Sequence, residues 1–194
     1  NGAGLPGGPS PSQSGIILPV INSPNQYYVF SVDDLYGNQD LVYSIVDMTG
    51  DGGLGGVLNK NTVIQANPQS EKIAIAQHAN GVDRWLITVD LGATVLAYPI
   101  TAAGVSNTPV SSPLMTTRLE TQDVGYLRVS PTGDKLLATY HIEGVVELMD
   151  FDPVTGTATL IESFATGSAF DVYGAEFSPD GSLFYIGNIS ASTI

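Results

Sequence analysis

The chain has 194 residues, 19 of them acidic against 6 basic, for a net charge of −13, and it contains no cysteine. Such a balance argues against nucleic acid, whose phosphates need a basic patch, and against anionic membrane surfaces. Missing thiols exclude disulfides, thiolate metal sites and a cysteine nucleophile, while 43% hydrophobic content is enough for a packed core.

Residues 1–14 (NGAGLPGGPSPSQS) are almost all Gly, Pro, Ser and polar side chains, and predict a loop or linker with too little apolar surface to fold alone. The chain opens at Asn1 with no basic or apolar leader, so a signal peptide, if one exists, lies upstream or has been removed, and the sequence reads as a mature product or a piece of something longer. No apolar run approaches the ~20 residues a membrane span needs, so no membrane insertion is expected.

Short β-type runs follow. They are 15–19 (GIILP), 27–32 (YYVFSV), 41–47 (LVYSIVD) and 57–64, with a glycine-rich stretch at 49–56. A second group holds 72–77 (KIAIAQ), 84–90 (RWLITVD), 94–101 (TVLAYPIT) and a weak 104–109. The third holds 125–130 (GYLRVS), 135–140 (KLLATY), 145–151 (VVELMDF) and 157–163 (TATLIES). A fourth begins with 174–178 (GAEFS) and 182–187 (SLFYIG). No segment sustains helical i, i+3, i+4, i+7 periodicity, so the pattern is all-β.

Equivalent runs recur at near-constant spacing. Lys135 follows Arg84 by 51 positions and Ser182 follows Lys135 by 47, while Ser130-Pro131-Thr132-Gly133 matches Ser178-Pro179-Asp180-Gly181 at a spacing of 48. Four strands repeating every ~40–50 residues are the signature of β-propeller blades. The sequence therefore predicts a partial ring of about three and a half four-stranded blades at 15–64, 71–110, 124–163 and 172–194, with 1–14 as a linker or interblade crossing. A closed propeller uses typically ~4–8 blades. The remaining blades are thus expected from flanking sequence or another chain, because an open arc exposes strand edges. The S-P-x-G element reads as a hairpin link between a blade's two inner strands, with proline presetting φ and glycine accepting a positive one.

Few residues offer chemistry. His78, Asp83, Arg84 and Trp85, in H-A-N-G-V-D-R-W, form the candidate ligand-binding cluster at a blade rim; the competing reading is a turn, with Asp83 pairing with Arg84 or capping the loop and Trp85 buried between blades. His141 with Glu143 nearby is too little to specify zinc. Residues 47–56 (DMTGDGGLGG) hold two aspartates in a glycine-rich loop but lack the spaced oxygen ligands calcium needs, so they predict an interstrand loop. Asp33, Asp34, Asp150 and Asp152 read as surface or turn acids. Tyr27, Tyr43, Tyr98 and Tyr185 read as blade core rather than a glycan-binding surface. No G-x-S-x-G elbow, P-loop or dinucleotide fingerprint is present, so no catalytic residue, metal or cofactor is assigned.

The ordered combination of YSIVDMT, GGLG, NKNT, H-x-N-G-x-D-x-W and the two S-P-x-G blades, spread from Asn1 to about Asn188, resembles the propeller region of large Bacteroidetes surface proteins. Those proteins carry a gliding-motility-associated C-terminal domain and leave the cell by type IX secretion with a type B sorting signal. The resemblance implies a secreted or cell-surface location and a non-catalytic module that binds or scaffolds a protein or glycan partner in a surface, secretion or gliding assembly. The alternative is a propeller enzyme of the lactonase type, which also uses S-P-D-G turns. It stands second because a lactonase needs histidines, acids or arginines converging on its channel, and the chain offers two histidines and only Arg84, Arg118 and Arg128.

Overall fold

The computed structural model describes residues 4–8, 10–33, 40–66, 70–90, 93–114, 124–167 and 169–189; Asp34 and Arg118 lie outside them. It is an all-β propeller arc. Blade 1 joins β1 (Gly15–Pro19), β2 (Gln26–Ser31), β3 (Leu41–Asp47) and β4 (Gly56–Gln65) in that spatial order. Blade 2 joins β5 (Ile73–Gln77), β6 (Arg84–Asp90) and β7 (Thr94–Thr101), with β8 (Gly104–Val105) and β9 (Val110–Pro113) both on the outer edge of β7. Blade 3 is β10 (Leu127–Val129), β11 (Lys135–Tyr140), β12 (Val145–Phe151) and β13 (Ala158–Ala165), and blade 4 is the hairpin β14 (Val172–Phe177) and β15 (Phe184–Asn188).

Within each blade the strands follow chain order and pair antiparallel, the outcome of short turns between consecutive β runs. Where the sequence predicts one weak strand at 104–109, the structure has two pieces. β8 pairs with Ile100 and Thr101 and β9 with Thr94–Ala97, and the chain between them turns on Ser106, whose Oγ accepts from Thr108 N.

Alternation along the strands explains how the blades stack, because successive side chains point to opposite faces. On β6, Trp85, Ile87 and Val89 face blade 3, and Leu86 faces blade 1. On β7, Val95 and Ala97 face blade 3 while Leu96, Tyr98 and Ile100 face blade 1. On β11, Leu136, Ala138 and Tyr140 face blade 2 and Leu137 faces blade 4. The hydrophobic core is thus split into three slabs, each between adjacent blades, and the four inner strands β1, β5, β10 and β14 neighbour one another in order around the axis. Every fully buried aliphatic side chain in these slabs is worth ~1.5–3 kcal/mol relative to exposure, so blade stacking is the main source of order.

The two end blades turn apolar side chains outward. Ile16 and Leu18 pack toward blade 2, leaving Ile17 exposed; Phe184 and Ile186 pack toward blade 3, leaving Tyr185 exposed. Tyr185 therefore departs from the expected core position, whereas Tyr43 and Tyr98 join the slab between blades 1 and 2.

Candidate functional site

The inner strands have two ends, and chemistry-bearing residues gather at both. At the ends where β5, β10 and β14 finish, the chain makes the same turn three times. His78 N donates to Asp83 O at 3.0 Å, Ser130 N to Lys135 O at 2.9 Å and Ser178 N to Leu183 O at 2.9 Å. A glycine three residues on donates back to each of these residues, Gly81, Gly133 and Gly181, all with φ between +70° and +79°. His78 thus occupies the place that serine takes in the next two blades.

In blades 3 and 4 the serine hydroxyl closes the turn. Ser130 Oγ accepts from Lys135 N at 3.0 Å and Ser178 Oγ from Leu183 N at 3.0 Å. Ser178 Oγ also donates to Asp180 Oδ1 at 2.6 Å, and this bond, with those from Ser182, holds the Asp180 carboxyl down to about 2. In blade 2 the His78 ring does related work: Nδ1 accepts from Asn80 N at 3.0 Å, and the ring stacks on Trp85 with centroids 5.4 Å apart.

The remaining members of the predicted cluster also serve the turn. Asp83 accepts from Asn80 Nδ2 at 2.8 Å, and Arg84 Nη1 donates to the carbonyls of Val82 and Asp83 at 2.7 and 2.8 Å. Trp85 is buried against blade 3, where Nε1 donates to Pro153 O at 3.1 Å and the ring lies on Gly156. A shallow groove of about 430 Å³ runs beside His78 and the Ser130–Gly133 turn. Within the 47–56 loop, Asp47 accepts from Thr49 N and Oγ1 and from Gln26 Nε2, the bonds of a turn cap. Among the described residues no three His, Cys, Asp or Glu side chains gather as a metal site.

The opposite end, where the inner strands begin, is held differently. Ser12 ties three blades at one point. Its N and Oγ donate to Glu71 Oε2, both at 2.7 Å; Oγ lies 3.0 Å from Tyr173 Oη and accepts from Gly125 N at 3.2 Å. Gln13 grips the axis-facing edge of β10, its amide taking Leu127 N at 2.8 Å and giving to Leu127 O at 3.3 Å. Below, the fully buried Lys72 donates to Thr139 O at 2.8 Å and sits 3.5 Å over the Tyr140 ring. His141 is at this end too, its Nδ1 3.0 Å from Val172 O and its ring edge-on to Tyr173 and Phe170.

Along the inner strands β1, β5 and β10 runs an open groove of about 400 Å³ lined by Gln13, Ile16, Ile73, Ile75, Tyr126 and Arg128. Arg128 reaches from β10 to blade 4. Its Nε donates to Ala175 O at 3.1 Å and is ion-paired with Glu176, 3.1 Å from Oε2, and its guanidinium lies 4.7 Å from the Tyr126 ring centroid. Glu176 Oε1 accepts from Phe177 N at 3.1 Å, so both carboxylate oxygens are fixed while the side chain stays 65% exposed. Sequence reasoning passed over this pair, although a signal exists: Arg128 and Glu176 stand at one register, each two residues before the turn serine. Ser12 and Gln13 carried no signal, since nothing in a Gly/Pro/Ser-rich leader tells which three blades it will touch.

This geometry makes the chain part of a β-propeller. Solved structures with the same fold include two provisionally named 6-phosphogluconolactonases. The one from Bacteroides fragilis has a TM-score of 0.56 at 16% identity over 89% of this chain and 48% of that chain. The one from Bacteroides uniformis has 0.55 at 19% over 96% and 51%. Kluyveromyces lactis Hsv2 matches with 0.52 at 15% over 89% and 46%. The chain spans about half the length of these structures. No family model and no curated protein matches the sequence. The expectation of a non-catalytic scaffold, and of no enzyme, is corrected at this point: similar structures carry lactonase names, the reading that the sequence placed second. It was placed second for want of histidines and arginines, but an arginine and a carboxylate do meet beside the axis.

Proposed function

We propose that the chain is about half of a propeller hydrolase that opens cyclic esters at its axis. The reading is supported by the lactonase names among similar structures and carried by one observation, the ion pair of Arg128, which lines the groove along the inner strands, with Glu176 of β14. Ester opening needs a base for water and a positive partner for the oxyanion. Glu176 takes a proton from water as the oxygen adds to the lactone carbonyl. Arg128 stabilises the negative oxygen that forms, and the proton passes to the ring oxygen as its bond to the acyl carbon breaks, leaving a hydroxy acid. The exposed carboxylate has room for the water, and the guanidinium is preorganised by Ala175 O and the Tyr126 ring.

The rest of the ring comes from flanking sequence or another chain, which covers Ile17 on blade 1 and Tyr185 on blade 4. A stable, monodisperse monomer of these 194 residues alone would defeat that part. Export to the cell surface belongs to the same proposal, supported by the resemblance to Bacteroidetes surface proteins, and cell fractionation tests it. The activity is tested by acid release from gluconolactone and 6-phosphogluconolactone, corrected for spontaneous opening, with the ring complete. Glu176→Gln is expected to lower kcat about 100-fold or more with the fold intact. No acceleration by the native protein, or an unchanged rate in Glu176→Gln, overturns the reading.

A further inference from the structure

We propose that Thr139 is a positioning residue for the Arg128–Glu176 pair, acting through a bulge in β14; this rests on the hydrolytic reading above. Across the β14–β15 hairpin the register runs from Val172 opposite Asn188 to Ala175 opposite Ile186, so β14 advances three residues while β15 gives two. An extra residue in one strand reverses the alternation of side chains beyond it. Strict alternation from Val172, which is buried against blade 3, would carry Glu176 into the slab between blades 3 and 4 and turn Ala175 and Phe177 out. The bulge does the reverse. Ala175 and Phe177 join Val172 in the slab, and Glu176 stands clear of it, 3.1 Å from Arg128.

Tyr173 and Gly174 form the bulge, and Thr139 holds it from blade 3. Its Oγ1 donates to Tyr173 O and accepts from Tyr126 N at 2.8 Å. Thr139 N donates to Tyr126 O at 2.9 Å, and Thr139 O takes Lys72 Nζ at 2.8 Å. The residue is fully buried with each of its polar groups engaged, so its hydroxyl has one direction to point. Before the bulge β14 is gripped at Val172 O, 3.0 Å from His141 Nδ1, and after it at Ala175 O by Arg128. Thr139 is the grip inside it. One hydroxyl thus ties Tyr126, whose ring the Arg128 guanidinium lies over, to the strand that carries Glu176. Valine keeps the shape of threonine but takes that partner from the Tyr126 amide and the Tyr173 carbonyl, and buried polar groups so deprived move to find another. The bulge then shifts, and Glu176, just beyond it, shifts with it.

The test uses the protein with its ring complete. The Nε–Hε NMR signal of Arg128, assigned by its loss in Arg128→Lys, reports the pair without any turnover, and kcat and KM for gluconolactone report its use. Thr139→Val is expected to shift the Arg128 signal and to lower kcat about tenfold or more with KM within about twofold, because a misplacement of about 1 Å costs on the order of 100-fold. Thr139→Ser keeps the hydroxyl and should restore both. An unmoved Arg128 signal in Thr139→Val overturns the proposal, as does a shifted signal with kcat unchanged, or a serine variant that behaves like the valine one. Should Thr139→Val not fold, Thr139→Ala is read in the same way; if neither folds while Thr139→Ser does, the hydroxyl serves folding alone and the positioning role is overturned. A shifted signal in a protein that opens no lactone leaves Thr139 as the residue that sets the pair and overturns only the hydrolytic reading.

Discussion

The two ends of the inner strands are built on opposite principles. Where they finish, three turns use the same local backbone bonds, and each turn is closed by residues within five positions of one another. Where they begin, the important bonds join residues 59, 113 and 161 positions apart. Local chemistry makes the first end repetitive; long-range convergence makes the second unique. The turn shared by blades 2, 3 and 4 is structural, and the Arg128–Glu176 pair stands two residues before it in blades 3 and 4, so the repeat gives the register of the site without supplying its chemistry.

The largest expected effect tests the clamp at the turn end. Trp85→Ala removes a ring packed against Phe151 and Gly156 and a bond to Pro153, and should cost about 3–5 kcal/mol in denaturant unfolding. A loss below about 1 kcal/mol would mean that this end does not hold blades 2 and 3 together.

Gly125→Ala probes the other end. Gly125 has φ +138°, and an added Cβ would stand 2.2 Å from Thr139 O, so the backbone must move. A loss of about 3 kcal/mol is expected, with faster exchange of the Tyr126 amide, which donates to Thr139 Oγ1. An alanine tolerated without a shift in Tm would show that the strand beginnings are looser than their contacts imply.

Smaller effects sharpen the equivalence of the three turns. Ser178→Ala should cost about 1 kcal/mol through the lost bonds to Leu183 and Asp180. It should also return the Asp180 carboxyl toward its ordinary value, visible by NMR titration. Because folding lowers this carboxyl from 3.8 to about 2, its stabilising contribution is complete above pH 4 and is lost as pH falls through 2. The native protein should therefore lose more stability than Ser178→Ala across that interval. His78→Ser carries the smallest change, under about 1 kcal/mol, since serine closes the same turn in blades 3 and 4, and the stacking on Trp85 and the bond from Asn80 N are what it removes. It should leave hydrolysis unchanged; a large loss of activity would move the site to the His78 end.

The architecture was legible because its signals are local and periodic. Strand alternation in RWLITVD and KLLATY and the 48-residue spacing of the S-P-x-G turns each report on a few neighbouring residues. Even so, the serine of that motif went unread: its hydroxyl, as much as proline or glycine, shapes the turn by accepting the Lys135 or Leu183 amide. The register shared by Arg128 and Glu176 was legible in the same way but their pairing across blades was not, and the contacts at the strand beginnings were not legible at all. Ser12, Glu71, Gly125 and Tyr173 are unremarkable in one dimension and meet only after three blades have stacked. Singling out His78 followed from its being one of two histidines, but rarity of a residue type says nothing about which end of a strand it will occupy.

Lys72 has a practical side. An ammonium sealed between a carbonyl and a tyrosine face is shielded from amine reagents while blades 2 and 3 stay together. The chain contains six basic residues in all. Differential acylation of Lys72 against the half-exposed Lys135 is therefore a built-in gauge of blade separation, readable by peptide mass under the very conditions in which the protein works.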